Sequence, residues 1–177
     1  MGLRALARIV MVVGGQEYPP RLERLERLYG RLAAGMATGA TLGGCRFMPA
    51  KGPHRGRILV VREPVALADV PVRPGERLHW DHRFAVRLSR STRARRGGLR
   101  LGPLGSDGWA HVRAAVPAPT AGIPAPARPG LPALRDGLGL LSVPHLGFEY
   151  SRNHRLTMII DSFSPRISLA GGTFTVA

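Results

Sequence analysis

The 177-residue chain has few of the residues that crosslink a secreted protein or hold one in a membrane. Its single cysteine, Cys45, has no second thiol with which to form an internal disulfide, which favours a reducing compartment. Its longest strongly apolar run, residues 9–13 (IVMVV), is far too short to span a bilayer. The first residues contain no signal-peptide cleavage site, and Leu6 stands where a myristoylation signal needs serine or threonine. These absences predict a cytoplasmic protein that does not contact a membrane.

Acidic residues and lysine are also scarce. The chain has 26 basic residues against 11 acidic ones, which gives a net charge of +15, and Lys51 is the only lysine. A GC-rich genome can favour arginine, but an excess this large favours a polyanionic partner, with nucleic acid ahead of an anionic membrane. The 44% apolar content predicts a folded chain.

The sequence contains no Walker loop, dinucleotide fingerprint or G-x-S-x-G motif. In HWDH, residues 79–82, a strand would place only His79 and Asp81 on one face, and two ligands do not make a zinc site. Cys45 and His145 have no identifiable catalytic partner in the sequence, so a hydrolase that uses either of them is the weakest alternative. The sequence therefore predicts no active site, no cofactor and no metal in this chain.

Two segments at the start have the periodicity of amphipathic helices. A first apolar stripe ends at the pair Gly14-Gly15, and a second helix is expected to begin near Pro20. The stripes are Leu3, Leu6, Val10 and Val13 in the first segment and Leu22, Leu25, Tyr29 and Leu32 in the second.

After Gly35 the pattern changes to short, strand-like segments separated by Gly, Pro, Ser or Asp. They are TLGGCRF, RILVVRE, HWDHRFAVRL, LRLG, GWAHVRAAV, LGLLSVPHL, RLTMIID and GTFTVA. Helices followed by strands predict an α+β fold with a mostly antiparallel sheet. We expect a helical segment over residues 1–37 and a β-rich domain over residues 38–177. Residues 116–130, rich in proline, are expected to form an extended connector.

Two groups of arginines are candidates for binding nucleic acid. In the first group, a strand with arginines on one face, a polar loop and a returning strand predict a basic hairpin without acidic residues. In the second group, the arginines share one face of the second helix. The candidates are Arg83, Arg87, Arg90, Arg93, Arg95, Arg96 and Arg100 in the hairpin and Arg24, Arg27 and Arg31 on the helix. A flexible basic loop and a solvated helix face are the alternative interpretations.

Eight short motifs in fixed order resemble the C-terminal half of tRNA(Ile)-lysidine synthetases of the alphaproteobacterial type. They are VVGGQEYPPRLERLERLYGRL, TLGGCRF, ILVVREP, WDHRFAV, LGPLGSDGW, LPALRDG, LLSVPHLGF and LAGGTFTVA. The resemblance covers residues 3–177, with one departure at Arg135, where tryptophan is expected. In this family TLGGCRF corresponds to the first C-terminal strand, and its glycines are expected to permit a close turn or bulge.

The resemblance implies a tRNA-binding role. Relatives use ATP and Mg²⁺ to adenylate the wobble cytidine of an isoleucine tRNA, and free lysine then attacks. That chemistry belongs to an N-terminal domain with a Ser-Gly-Gly-x-Asp-Ser loop, which this sequence lacks. We therefore expect a tRNA(Ile)-binding portion that is inactive alone, with the family's catalytic domain as a second partner. The alternative is a stand-alone arginine-rich RNA- or DNA-binding protein.

Overall fold

Helices precede a set of antiparallel strands in the computed structural model, which describes residues 2–117, 122–150 and 158–163. Over these residues the chain forms three α-helices and eleven strands, and every strand pairing is antiparallel. The predicted α+β class is confirmed. The described residues form two compact units, residues 2–63 and 64–163.

The first unit packs two helices on a three-stranded sheet. The helices are α1 (Leu3–Gly14) and α2 (Leu22–Ala33), and the strands are β1 (Ala40–Leu42), β2 (Cys45–Pro49) and β3 (Ile58–Arg62). The sheet has the order β1-β2-β3. Because this sheet shares one hydrophobic core with both helices, the predicted domain boundary after residue 37 falls inside the unit.

The helices bury the faces that their periodicity predicts, with two differences. Helix α1 ends as expected at Gly15, which adopts φ 62° and donates its N–H to the carbonyl of Met11. Helix α2 begins at Leu22, two residues after Pro20. In α2 the buried residues are Leu25 and Leu28, whereas Leu22 is 54% exposed.

The glycine pair in TLGGCRF closes the hairpin between β1 and β2. Leu42 pairs with Cys45, so Gly43 and Gly44 form a two-residue turn with φ values of 57° and 72°. Positive φ at both positions is the geometry of the tight hairpin turns that glycine favours. A Cβ on Gly43 would lie 2.5 Å from Cγ1 of Val10. The glycine pair is therefore structural. It joins the two strands β1 and β2, whereas the sequence predicted a single strand at TLGGCRF.

The described part of the second unit contains two sheets and one α-helix. The five-stranded sheet has the order β10-β9-β8-β7-β4, the three-stranded sheet has the order β11-β6-β5, and α3 spans Gly105–Ala115. The strands are β4 (Val70–Val72), β5 (Arg77–Trp80), β6 (Phe84–Leu88), β7 (Leu99–Pro103), β8 (Pro132–Asp136), β9 (Gly139–Val143), β10 (Phe148–Glu149) and β11 (Met158–Phe163).

The five-stranded sheet is buried on both faces. On one face Leu101 and Leu134 join Val86 and Met158 of the three-stranded sheet in one core. On the other face Ala133 packs in a second core with residues of α3 and the segments around it. Successive strand residues point to opposite faces, so neighbours such as Ala133 and Leu134 enter different cores.

Two sequence expectations for this unit are wrong. GWAHVRAAV forms most of helix α3 rather than a strand, because Leu104, Val112 and Val116 recur at helical spacing and pack in one core. The predicted arginine hairpin does not form, since β6 pairs with β5 and β11 whereas β7 pairs with β4 and β8.

The proline-rich stretch is also more structured than an extended connector. Residues Ala125–Gly130 form a 3-10 helix, and the guanidinium of Arg128 lies 4.7 Å from the ring centre of Trp109 on α3. The strand expected at GTFTVA lies outside the described residues.

Candidate functional site

In the second unit, the described residues include aspartate partners for Arg83, Arg95 and Arg100. The clearest case is Arg95, whose guanidinium donates from Nε and Nη2 to both oxygens of Asp136, at 2.9 and 2.7 Å. The backbone N–H of Leu138 also donates to Asp136, at 2.9 Å. These bonds, with those from Arg95 first, hold the pKa of Asp136 well below its usual range. Arg95 also stacks on Tyr150, 3.9 Å from the ring centre.

Arg83 and Arg100 also form ion pairs with aspartates. Nε of Arg83 donates to Asp81 at 2.5 Å, and Arg83 is only 5% exposed. Nε of Arg100 donates to Asp69 at 3.1 Å, and both side chains are about half exposed. Asp81, Asp69 and Asp136 thus bind three arginines of the predicted hairpin, residues 83–100, which itself contains no acidic residue.

The remaining loop arginines divide between backbone contacts and solvent. Nη1 of Arg93 donates to the carbonyls of Arg90 and Thr92, at 2.8 and 2.9 Å. Arg96 is exposed, and its carbonyl accepts the N–H of Gly137 at 2.8 Å. Arg93 therefore stabilises the loop's own conformation, whereas the side chain of Arg96 faces water.

The three arginines of α2 line an open cleft of about 440 Å³ in the first unit. Arg24, Arg27 and Arg31 are spaced by three and four residues, which places them on one side of the helix. All three are exposed, whereas Leu25 and Leu28 are buried. The opposite wall of the cleft includes β1, the glycine turn and one acidic residue, Glu63.

The arginines of this cleft differ in how firmly they are held. Nη2 of Arg31 donates to the carbonyl of Gly39 at 3.1 Å and to Oγ1 of Thr38 at 3.3 Å. Arg27 lies 3.9 Å from Glu23, and both side chains are more than 70% exposed, so this ion pair contributes little. Arg24 and Arg27 can therefore reorient toward a ligand, while Arg31 also fixes the loop after the helix.

Arg87 and Arg90 line a second open cleft, of about 410 Å³, in the second unit. The structure adds Arg77 to them, because β5 pairs with β6 and puts Arg77 directly opposite Arg87. Arg77 was missed by the sequence interpretation. The sequence could have revealed Arg77 if the two strands had been paired antiparallel around the turn at Asp81 and His82, because that register places Arg77 opposite Arg87.

No metal or nucleophile site emerges among the described residues. Within the described ranges, no group of three His, Cys, Asp or Glu side chains could hold a metal ion. Cys45 is buried, and its Sγ donates to the carbonyl of Val10 at 3.4 Å. HWDH bends into a hairpin turn, with positive φ at Asp81 and His82, so His79 and Asp81 do not share a strand.

His145 packs edge-on against Phe84, with ring centres 5.4 Å apart. Although part of the residue is solvent-exposed, desolvation of the ring lowers the pKa of His145. An imidazole packed edge-on against an aromatic ring fits a structural role.

Arg135 stands where the family resemblance predicts a tryptophan, and its side chain makes a contact of its own. Its Nη2 donates to the carbonyl of Leu104 at 2.5 Å, and burial lowers the pKa of Arg135. The guanidinium thereby joins β8 to the residue that precedes α3.

Comparison with known proteins found no matching family model, no matching curated protein and no matching solved structure. Among the described residues, no helix has both the length and the apolar character needed to cross a bilayer.

Proposed function

We propose that this chain is an RNA-binding protein that contacts the phosphate backbone through the α2 cleft. The observation that carries the proposal is the lining of that cleft by Arg24, Arg27 and Arg31. Guanidinium groups bind phosphate oxygens through paired hydrogen bonds. The net charge of +15 adds long-range attraction to a polyanion.

More specifically, we propose that the chain is the tRNA-binding C-terminal part of a tRNA(Ile)-lysidine synthetase. The ordered motifs in the sequence support this proposal. Under this proposal, the chain holds tRNA(Ile) in the cytoplasm. The family's N-terminal domain is a second partner and supplies the ATP- and Mg²⁺-dependent chemistry. Contacts to phosphates position a nucleic acid without reading its sequence, so recognition of the anticodon belongs elsewhere.

The second candidate is a stand-alone protein that binds RNA or DNA without a link to a ligase. One observation favours it. The described residues that line the α2 cleft include no aromatic side chain on which an unpaired base could stack. A cleft of this kind suits any phosphate backbone.

The test measures the affinity of the purified chain for three ligands at one salt concentration. These ligands are tRNA(Ile) with a CAU anticodon, a methionine tRNA with the same anticodon, and duplex DNA with a similar number of phosphates. The tRNA-binding proposal predicts that both tRNAs bind more tightly than DNA. Equal affinity for all three would support the stand-alone alternative, and no saturable binding would contradict both.

Two double variants locate the interface on the first unit. R24Q/R27Q removes two charges from the cleft, whereas R55Q/R57Q removes two from an exposed loop outside it. We expect R24Q/R27Q to weaken tRNA binding by about tenfold or more, since each lost charge-assisted bond costs about 1 kcal/mol or more. R55Q/R57Q is expected to have a much smaller effect. Equal losses in the two variants would show that the cleft is not the interface.

A further inference from the structure

An exposed tyrosine lies beside the α2 cleft. Tyr18 is in the loop between α1 and α2 and is 80% exposed. Residues on both sides of it lie against the glycine turn, since a Cβ on Gly43 would be 3.5 Å from Cγ of Pro20 and 3.9 Å from Cγ of Gln16. Gly43 is itself part of the cleft lining. Because two residues span at most about 7 Å, Tyr18 lies close to the end of the cleft that the turn forms.

The loop that carries Tyr18 is held on both sides. Before it, the N–H of Gln16 donates to the carbonyl of Met11 at 3.0 Å, and Nε2 of Gln16 donates to the carbonyl of Gly14 at 3.1 Å. After it, Pro19 and the next proline each fix one backbone dihedral. A residue that precedes proline favours extended backbone, so Pro19 also restricts Tyr18. A ring presented on such a backbone loses little conformational freedom when it binds a partner.

The tyrosine and the cleft together provide the two kinds of contact that unpaired nucleic acid uses. Arginines bind its phosphates, and exposed aromatic rings stack on its bases. Arg21, which is exposed, lies between Tyr18 and Arg24 in the chain and continues the positive charge toward the ring. A base inside a duplex is already stacked and paired, so the ring suits a base in a loop or a single strand.

We propose that Tyr18 stacks on an unpaired base of the RNA whose phosphates bind in the α2 cleft. This inference rests on the proposed function and narrows its ligand from any phosphate backbone to a looped or single-stranded region. The face of the ring makes the contact, and the hydroxyl is not required. The ring neutralises no phosphate, so stacking adds affinity without adding to the salt dependence.

The test compares two RNAs with the same number of phosphates, a hairpin with an unpaired loop and a fully paired duplex. We expect Y18A to weaken binding of the looped RNA by about tenfold and to leave binding of the duplex near wild type. Y18F keeps the ring and should bind the looped RNA like wild type. The control is V65A, because Val65 is also an exposed apolar side chain, at 88% exposure, and lies in the second unit. Since Tyr18 is exposed, Y18A should remain folded.

The salt dependence of binding separates stacking from a phosphate contact. Y18A should keep the wild-type slope, whereas R24Q/R27Q should flatten it. The inference would be overturned by wild-type affinity of Y18A for the looped RNA, by equal losses with both RNAs, by a flattened slope in Y18A, or by an equal loss in Y18F. If Y18A shows the selective loss while R24Q/R27Q binds like wild type, the stacking contact stands and the phosphate site in the α2 cleft fails. No binding of either RNA would contradict both proposals.

Discussion

At the scale of single residues, arginines that look equivalent in the sequence have three different roles. Some bind carboxylates, Arg93 binds backbone carbonyls of its own loop, and the side chain of Arg96 faces water. Arg95 stabilises the fold through Asp136, which lies 41 residues away, and Arg100 binds Asp69, which lies 31 residues away. Composition revealed the excess of arginine but could not reveal these partners, because long-range register decides which carboxylate meets which guanidinium. Of the three aspartates that bind Arg83, Arg95 and Arg100, Asp81 alone lies close to its arginine in the sequence.

The Arg95–Asp136 pair should contribute strongly to the stability of the second unit. The side chain of Asp136 is fully buried, so Asp136→Asn would leave Arg95 without its charged partner and should cost about 3 kcal/mol at neutral pH. Urea unfolding followed by tryptophan fluorescence measures this, because Trp80 and Trp109 both lie in the second unit. R113Q, on the exposed surface of α3, is a control and should change the free energy of unfolding by less than about 0.5 kcal/mol.

The same pair should make stability depend on pH. The folded pKa of Asp136 lies below the unfolded value of about 4, so its contribution is complete above the unfolded pKa and is lost as the pH falls toward the folded pKa. The difference in free energy of unfolding between wild type and Asp136→Asn should therefore shrink between pH 6 and pH 3. A difference that stays constant or grows over this range would contradict the assigned ion pair.

The Gly43-Gly44 turn provides a second test at the residue scale. Gly43→Ala places a Cβ against Val10 at a positive φ and should destabilise the first unit by about 1–3 kcal/mol. Gly30→Ala is the matched control, because Gly30 lies inside α2 with open space around it and should stabilise the helix by about 1 kcal/mol. Hydrogen exchange of β2 and β3 amides reports both changes. Equal effects of the two substitutions would mean that the turn tolerates a side chain.

At the scale of elements, periodicity predicted the helices of the first unit and several strands, but not which strands pair. The strand segments β6 and β7 were recognised, yet they belong to different sheets, because the loop between them crosses from one sheet to the other. The strand β8 was missed, since both of its faces are buried and its sequence, PALRD, lacks a polar alternation. Helix α3 was mistaken for a strand because short apolar runs fit either period.

Helix α2 should show opposite responses on its two faces. Leu28 is 5% exposed, and Leu28→Ala should cost about 2–4 kcal/mol through the cavity it leaves. R24Q/R27Q changes the exposed face and should alter stability by less than about 0.5 kcal/mol while it weakens RNA binding. Hydrogen exchange of α1 and α2 amides measures the two effects. Strong destabilisation by R24Q/R27Q would show that these arginines serve the fold instead.

At the scale of the whole molecule, the candidate phosphate contacts lie in both compact units. Helix periodicity was enough to predict the arginines of α2. The position of Arg77 beside Arg87 became apparent only from the register of β5 and β6. The large positive charge predicts a polyanionic partner but not the place where such a partner would bind. The side chains that the fold brings together therefore define the candidate interface more narrowly than the sequence does.

The salt dependence of tRNA binding tests the central claim most directly. The logarithm of the association constant, plotted against the logarithm of salt concentration, has a slope that flattens by roughly 0.7–0.9 for each phosphate contact removed. We predict that R24Q/R27Q flattens the slope by about 1.5, whereas R55Q/R57Q leaves it close to the wild-type value. A slope in R24Q/R27Q indistinguishable from that of R55Q/R57Q would contradict the claim that the α2 cleft binds the phosphate backbone.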